Sequence, residues 1–249
     1  MSASPPEEPG IAVSVPSERV PARAILPALY QLVEAHTRES LAAVAAEGRS
    51  ISCKAGCGAC CRMFVPISDV EAHALAALVE RMPEPRRTTI KQRFAEAENR
   101  LADWRPLDTL IQRSSTAIAA DHDQMLADYF RLGIACPFLE DESCSIHPDR
   151  PLVCREYFVT SPAELCASHD RRREIKGVKR KFVAPALQYL TSDTTPPRST
   201  VMPITLVLRW VSRQTGKEGK RRGIDWLKRF SRILQDLAQH HRLTQGKQP

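Results

Sequence analysis

Apolar residues recur every three or four positions over several long stretches of the chain, which is the spacing of amphipathic α-helices. This spacing predicts a helix over 25–47 and a second, highly charged helix over 86–104. Between these two helices, Ser68 is followed three residues later by Glu71, a capping-box pattern that predicts a helix over 69–81. The chain is therefore expected to be mainly helical.

Further along, the spacing predicts a helix from about 108 to 132, a short helix near 184–191 and an amphipathic helix over 224–237. Two short apolar runs flank the acidic segment EDES at 140–143, as in a β-hairpin. The apolar segment PITLVLRWVSR at 203–213 fits a helix and a strand equally well. The expected fold class is mainly α with a small β-hairpin, built around an irregular, metal-stapled Cys-rich core.

Length and composition narrow the class of protein. A chain of 249 residues with 43% apolar residues can bury a core, and it has no apolar run long enough for a membrane-spanning helix. The proline-rich residues 1–24 lack the apolar segment of a secretory signal and are predicted to be a disordered leader. We expect a cytoplasmic protein with a cysteine-cluster metal-binding domain over 25–200 and a basic C-terminal helical extension over 201–249.

The cysteines carry the clearest chemical signal. Four of the eight lie in the segment SCKAGCGACC at 52–61, and the others follow only after a gap of 74 residues. In a reducing compartment, clustered cysteines bind metal more often than they form disulfides. Thiolates are soft ligands that suit zinc and iron–sulfur clusters. The predicted metal ligands are Cys53, Cys57, Cys60, Cys61, Cys136, Cys144, Cys154 and Cys166.

The first four cysteines have the spacing of a local chelate. Two residues between Cys57 and Cys60 let both sulfurs face one ion, and Gly58 eases the turn. Because neighbouring side chains diverge, Cys61 is expected either to bind a second metal atom or to be a buried thiol. Radical S-adenosylmethionine enzymes share this spacing, but there the loop follows a strand and an aromatic residue stands at the position of Ala59. That enzyme class is therefore disfavoured.

The other four cysteines are too far apart in sequence to bind a metal through local turns, so the fold must bring them together. Cys136 and Cys144 are expected to approach each other across the hairpin. Cys154 falls in the first turn of a predicted short helix, where backbone N–H groups favour a thiolate. We expect Arg155 to balance the charge of an anionic cluster, whereas Cys166 is either a ligand or a buried thiol.

The blocks CKAGCGACC, CPFL, CSI and RPLVCR occur in this order over roughly 50–160. With these blocks the chain resembles the YkgJ-type cysteine-cluster family, which has a CxxCxxCC-like motif and is described as zinc- or iron-chelating. The resemblance implies a metal-binding domain, and it adds iron–sulfur oxidoreductases and cluster-dependent methyl transfer as enzyme classes. The chain departs from the motif after Cys53, where three residues replace two. His147 would add a nitrogen ligand.

Charge is distributed unevenly along the chain. Residues 151–249 hold 20 Lys and Arg against 8 Asp and Glu, a net charge of +12, whereas residues 1–150 hold 16 against 21, a net charge of −5. This asymmetry suggests an anionic partner for the C-terminal half, although a basic surface also serves solubility alone. The sequence contains no P-loop, dinucleotide-binding glycine motif or nucleophile elbow.

The leading hypothesis is a metal-chelating cysteine-cluster protein that binds an iron–sulfur cluster or zinc and serves redox chemistry. The alternative is a structural zinc scaffold that presents its basic C-terminal surface to nucleic acid or to an acidic partner. The sequence leaves open whether the protein is an enzyme, which metal it binds, how many metal sites it has and what its oligomeric state is.

Overall fold

A computed structural model of the chain describes residues 12–114, 122–179, 183–216 and 218–245. Within these ranges the protein is mainly helical, with 57% helix and eight α-helices, and its short strands pair antiparallel. The predicted mainly α class is confirmed, and the metal-stapled core stays a prediction. No helix in the described ranges is both long enough and apolar enough to cross a membrane.

The helices follow the hydrophobic pattern closely in the first half of the chain. They are α1 (Leu26–Ala46), α2 (Asp69–Glu80), α3 (Arg86–Trp104), α4 (His122–Arg131), α5 (Leu152–Glu156), α6 (Val183–Leu187), α7 (Val207–Ser212) and α8 (Gly223–Gln245). The predicted capping box of α2 is confirmed. The Ser68 hydroxyl accepts from the Glu71 N–H at 3.2 Å, and the Glu71 carboxylate accepts from the Ser68 N–H at 3.3 Å.

The strands are short and mostly pair with distant parts of the chain. They are β1 (Arg19–Pro21), β2 (Pro66–Ser68), β3 (Gln112–Ser114), β4 (Leu139–Glu140), β5 (Ser143–Cys144), β6 (Ser199–Pro203) and β7 (Lys220–Arg222). In the three-stranded sheet, β6 lies between β2 and β3, with Ile67 opposite Met202. A separate pair joins β1 to β7. Strands of three residues are too short to show an alternating pattern, so the sequence did not indicate these pairings.

The predicted hairpin is confirmed, and it is the pair β4–β5, with Leu139 opposite Cys144. Its two turn residues, Asp141 and Glu142, have φ values of 47° and 56°. Positive φ at both central positions is the geometry of a type I′ turn, whose twist matches that of the flanking strands. The hairpin is therefore tight, and it holds the acidic segment at its tip.

The predicted helix over 108–132 is wrong in its first part. Residues Leu107–Leu110 form a 3₁₀ turn and the backbone of β3 is extended, so the described residues from 107 to 114 are not α-helical, whereas His122–Arg131 are. Residues 115–121 lie outside the described residues. The backbone of β3 pairs with β6, which satisfies polar groups that a helix would have satisfied internally. The ambiguous segment 203–213 consists of a 3₁₀ turn followed by α7.

Buried apolar side chains form three clusters. The first joins α1, α6 and α8 and includes Leu29, Leu187 and Phe230. The second joins α2, α3 and α7 and includes Phe138 beside the hairpin. The third joins α3 to α4 and includes Tyr129. Cysteines of the hairpin region belong to or pack against the second cluster, so the candidate site is built on an apolar core.

The apolar face of α8 is buried against the body of the protein. Trp226 and Phe230 are 3% and 1% exposed, and the Trp226 indole N–H donates to the Val20 carbonyl at 2.9 Å. The strand β6 crosses the expected boundary between 25–200 and 201–249. That division stays a prediction, as does the leader over 1–24, part of which lies outside the described residues.

Candidate metal centre

Seven of the eight cysteines line a single cavity of about 1120 Å³. They come from three separate parts of the chain, namely the loop 53–61, the hairpin region and α5. The cysteines at the wall are Cys53, Cys57, Cys60, Cys61, Cys136, Cys144 and Cys154. Thiols that are far apart in sequence therefore face one space, which a shared metal centre requires.

The loop 53–61 turns through short-range backbone contacts. Gly56 has φ of 80°, a left-handed conformation that glycine adopts without strain. The Cys57 N–H donates to the Lys54 carbonyl at 3.2 Å, and after Gly58 the chain makes one 3₁₀ turn over Ala59–Arg62. These tight turns bring the four thiols of the loop to the same wall.

A close backbone approach and an ion pair fix this loop to the hairpin. The Cys136 N–H donates to the Cys61 carbonyl at 2.7 Å. The Arg62 guanidinium donates to both oxygens of Glu142, at 2.8 and 2.5 Å. A β-carbon on Gly58 would lie 2.6 Å from Glu142 Oε2 and 2.7 Å from Leu139 Cδ1, so a side chain at this position would displace both side-chain ends and disturb the ion pair of Glu142. Gly58 therefore allows this close packing, whereas its φ of −90° is open to any residue and the turn itself does not need glycine at this position.

The adjacent thiols of Cys60 and Cys61 do not diverge as the sequence led us to expect. The Cys60 thiol is hydrogen-bonded to Cys61, and this bond together with burial raises the pKa of Cys60. Cys61 is only half-buried and lines the cavity, so the structure does not show the fully buried thiol that was one alternative. The two thiols are therefore close to each other, and both residues line the cavity.

Buried carboxylates hold α5, the helix that carries Cys154. The Leu152 N–H donates to Glu71 Oε1 at 2.7 Å, and Glu71 is 3% exposed. The carboxylate of Glu156, 7% exposed, accepts from two backbone N–H groups at the start of α6, both at 3.2 Å. Each carboxylate satisfies donors that a helix start leaves without an intrahelical partner. The position of Cys154 therefore depends on buried carboxyl groups that hold the two ends of α5.

Arg155 does not face the thiols, so its predicted role in balancing the charge of a cluster is wrong. Its Nη1 forms an ion pair with Glu34 at 2.7 Å, and its guanidinium carbon lies 4.0 Å from the centre of the Tyr30 ring. Consecutive residues of a helix point in different directions, and here Cys154 takes the cavity side. The arginine of this region that lines the cavity is Arg150, which the sequence reasoning missed.

Burial favours the neutral thiol at several of these cysteines. It raises the pKa of Cys136, Cys144 and Cys154, and the positive charge of Arg150 opposes the rise at the last two. Burial therefore opposes the thiolate predicted at Cys154 in the protein without a metal. A bound cation would stabilise the thiolate form.

Cys166 is the one cysteine that does not line the cavity. It is 5% exposed in a 3₁₀ turn over Ala163–Ala167 and is hydrogen-bonded to Tyr157, whose side chain does line the cavity. Burial raises the pKa of Cys166, and the hydrogen bond from Tyr157 opposes that rise. Cys166 is thus buried and close to Cys53, Cys57 and Cys60, and its role as a metal ligand stays a prediction.

Among the described residues, His122 and His147 also line the cavity. Burial lowers the pKa of His147, which had been predicted as a nitrogen ligand. Its imidazole is therefore neutral near neutral pH, which is the form that binds a metal. The wall thus offers nitrogen as well as sulfur donors.

In the part of the chain that the structure describes, no group of three or more Cys, His, Asp or Glu side chains is arranged so that it could hold a metal ion. The thiols share a wall without forming a closed coordination shell, in which sulfur–zinc distances are about 2.3 Å. The donor chemistry nevertheless fits a soft metal, because the wall offers thiols and imidazoles and few carboxylates. A metal would have to draw the thiols together within the cavity.

The fold and the site define a helical protein whose cysteine cluster is gathered at the wall of one cavity. Residues 52–180, more than half of the chain, match the CxxCxxCC family, whose description is "Putative zinc- or iron-chelating domain". The chain belongs to this family. The matched residues include all eight cysteines, and the family description supports metal chelation. No curated protein and no solved structure shows significant similarity to the chain.

Proposed function

We propose that the protein binds a metal centre through the thiolates at the cavity wall, with an iron–sulfur cluster favoured over zinc. The observation that carries this proposal is that seven cysteines from three parts of the chain line one cavity. A zinc site uses four ligands, so this many thiols, including an adjacent pair, favour a sulfur-rich cluster. Such a cluster would supply redox chemistry in a cytoplasmic protein.

The electrostatic interactions among the thiols support two groups of ligands. After burial, the neighbours that raise the pKa of Cys136 are Cys154, Cys144 and Cys60. After burial, those that raise the pKa of Cys166 are Cys53, Cys60 and Cys57. Cys60 occurs in both sets, so we place the Cys60–Cys61 pair between the two groups. The proposed groups are Cys136, Cys144 and Cys154 on one side and Cys53 and Cys57 on the other.

The chain itself holds these ligands in place. The Arg62–Glu142 ion pair and the tight approach at Gly58 fix the loop that carries Cys53 and Cys57 to the hairpin region that carries Cys136 and Cys144. The buried carboxylate of Glu71 anchors the helix of Cys154. These contacts limit the distance over which the thiols must move when a metal binds.

Metal analysis after anaerobic purification tests the proposal. We expect iron and sulfide in the wild-type protein, together with the visible absorption of a cluster, and most of both should be lost in Cys57→Ser. The matched control is Cys166→Ser, which changes the one thiol that does not line the cavity, and we expect it to leave metal content unchanged. A colourless protein with stoichiometric zinc would refute the cluster, and a protein without metal would refute the centre altogether.

A second candidate function is supported by exposed basic residues that follow the cysteine region. Arg172, Arg173, Lys176 and Lys179 are all exposed. As an alternative, we propose that the centre is a structural zinc site and that this basic surface binds nucleic acid or an acidic protein. Phosphate contacts of this kind weaken steeply as salt concentration rises.

Charge reversal in the full chain tests this alternative. The double variant Arg173→Glu and Lys176→Glu should lose salt-sensitive binding to a DNA duplex while it keeps its zinc. The variant Arg38→Glu, which alters an exposed residue of α1, is the control. If the wild-type protein and the double variant bind equally, or neither binds, the alternative fails.

A further inference from the structure

The cavity is much larger than a metal ion needs. Its volume is about 1120 Å³, whereas a zinc ion with sulfurs at about 2.3 Å takes up a sphere on the order of 50 Å³. Pockets that bind small organic molecules have volumes of about 300–1,000 Å³. The space beside the thiols is therefore sufficient for an organic ligand as well.

Between the cysteines, the wall is largely apolar and aromatic. Its apolar side chains include Phe64, Leu126, Phe138, Ile146, Phe158 and Ile204. Phe64 and Phe138 each pack edge-on against another aromatic ring, with ring centres 5.3 and 5.4 Å apart, which restricts their orientation. An ordered apolar wall of this kind stabilises the body of a ligand by removing it from water.

The formal charges at the wall are mainly positive. Lys54, Arg150 and Arg172 line the cavity, and among the described residues Glu142 is the only carboxylate that does so. Glu142 is already bound through both oxygens by Arg62. A ligand that entered the cavity would therefore meet cationic side chains that Glu142 does not neutralise.

Arg150 has an unsatisfied donor in this position. Its Nε atom is buried and has no hydrogen-bond partner among the described residues, whereas nearly all buried donors in proteins are paired. Two other arginines of this region are already engaged, Arg62 by Glu142 and Arg155 by Glu34. A guanidinium presents paired N–H groups that match the oxygens of a carboxylate or a phosphate.

We propose that the cavity binds a small organic anion, whose carboxylate or phosphate group is held by Arg150 and whose apolar body packs against Phe64 and Phe158, both partly exposed at the wall. This proposal builds on the proposed function, because it names the class of molecule that shares the cavity with the metal centre. Both parts of the ligand are needed. A neutral molecule leaves the charge of Arg150 without a counter-ion, and a bare anion leaves the apolar wall in water.

Calorimetric titration of the full chain with four probes tests the proposal. The probes are phenyl phosphate, benzoate, inorganic phosphate and benzyl alcohol. We expect one or both aromatic anions to bind about tenfold or more tightly than the neutral alcohol, since a hydrogen bond to a charged group contributes about that factor. We expect a similar margin over inorganic phosphate, because the bare anion has no apolar body to remove from water. The two aromatic anions distinguish a phosphate ligand from a carboxylate ligand.

Each titration is made on the protein as purified and again after chelation, with iron and zinc measured in the same samples. Failure of the metal proposal is then read from the metal content, and failure of the anion proposal is read from the heats. The wild-type protein must bind an aromatic anion in at least one of the two states. If it binds none at millimolar concentration, the proposal is wrong.

Variants at Arg150 test how the anion is held. Arg150→Gln should weaken binding of the aromatic anion about tenfold or more, and Arg150→Lys should weaken it less because the charge remains. Arg38→Gln is the control, and circular dichroism checks the fold of each variant. If Arg150→Gln does not fold, the decision rests on Arg150→Lys. Unchanged affinity in the folded Arg150 variants overturns the proposal. The proposal is also overturned if the wild-type protein binds no aromatic anion and the Arg150 variants lose metal. Arg150 would then serve only as a counter-charge to the thiolates.

Discussion

Replacing Glu71 by Ala should destabilise the protein and loosen the helix of Cys154 at the same time. The Glu71 carboxylate is 3% exposed, and its Oε2 accepts from the N–H and the hydroxyl of Ser68 at 3.3 and 2.9 Å. Its Oε1 accepts from the Leu152 N–H at 2.7 Å. Leu152 is the first residue of α5. One side chain therefore caps α2 and anchors the helix that presents Cys154 to the cavity.

The size of the effect follows from the groups that lose their partner. In Glu71→Ala, the N–H groups of Ser68 and Leu152 remain in the interior without an acceptor. A buried unsatisfied donor costs about 1–3 kcal/mol, so the free energy of unfolding should fall by about 2–6 kcal/mol. Burial raises the pKa of Glu71, so removing the carboxylate also removes a desolvation cost, and we expect the lower half of this range. Glu71→Gln keeps an acceptor for only one of the two N–H groups and should lose roughly half as much.

Urea unfolding of both variants, combined with metal analysis, measures these effects. The control is Glu80→Ala at the end of α2, where the carboxylate forms an exposed ion pair with Lys91 at 2.8 Å and should contribute less than about 1 kcal/mol. Metal retention should fall in Glu71→Ala and stay unchanged in the control. Equal losses of stability in Glu71→Ala and Glu80→Ala would refute the reasoning about the buried carboxylate. Full metal retention in Glu71→Ala would refute its link to Cys154.

Two further predictions concern packing and pH. Gly58→Ala should lower metal content, because the new methyl group would lie 2.6 Å from Glu142 Oε2. The control is Gly177→Ala, where the nearest atom to the new methyl group is 3.9 Å away. Equal metal content in the two variants would contradict this prediction. The ring of His73 lies 5.3 Å from that of Trp210, and burial lowers the pKa of His73. Below about pH 6.5 the unfolded chain therefore binds a proton at His73 that the folded protein does not, so the free energy of unfolding should fall as the pH drops. His73→Gln should flatten this part of the urea-unfolding profile, and an unchanged slope would count against the assignment.

Several features could be predicted from the sequence because neighbouring residues determine them. The capping box at Ser68 and Glu71 marked the start of α2, and the spacing of apolar residues marked α1 and α3 within a residue or two. The hairpin was indicated by two apolar runs around an acidic segment. These signals work because helix and turn geometry place residues a few positions apart in contact.

Other features depend on contacts between residues far apart in sequence. The strand β3 replaced part of a predicted helix because β6, almost ninety residues later, supplied its backbone partners. Arg155 has the sequence position of a counter-charge, but Glu34 and Tyr30 hold it on the other side of α5. Arg150 faces the cavity instead, and no local pattern distinguishes these two arginines.

For this protein, the sequence by itself determined the helical class, the hairpin and the set of cysteines from which a metal centre could be built, since each is encoded in residue type and local spacing. Only the tertiary structure decided that seven thiols share one cavity, that Cys166 does not line it and that the cavity has room for more than a metal. The reason is physical. Which side chains meet, and how much water they lose, depends on how distant segments pack, and local spacing carries no information about that packing.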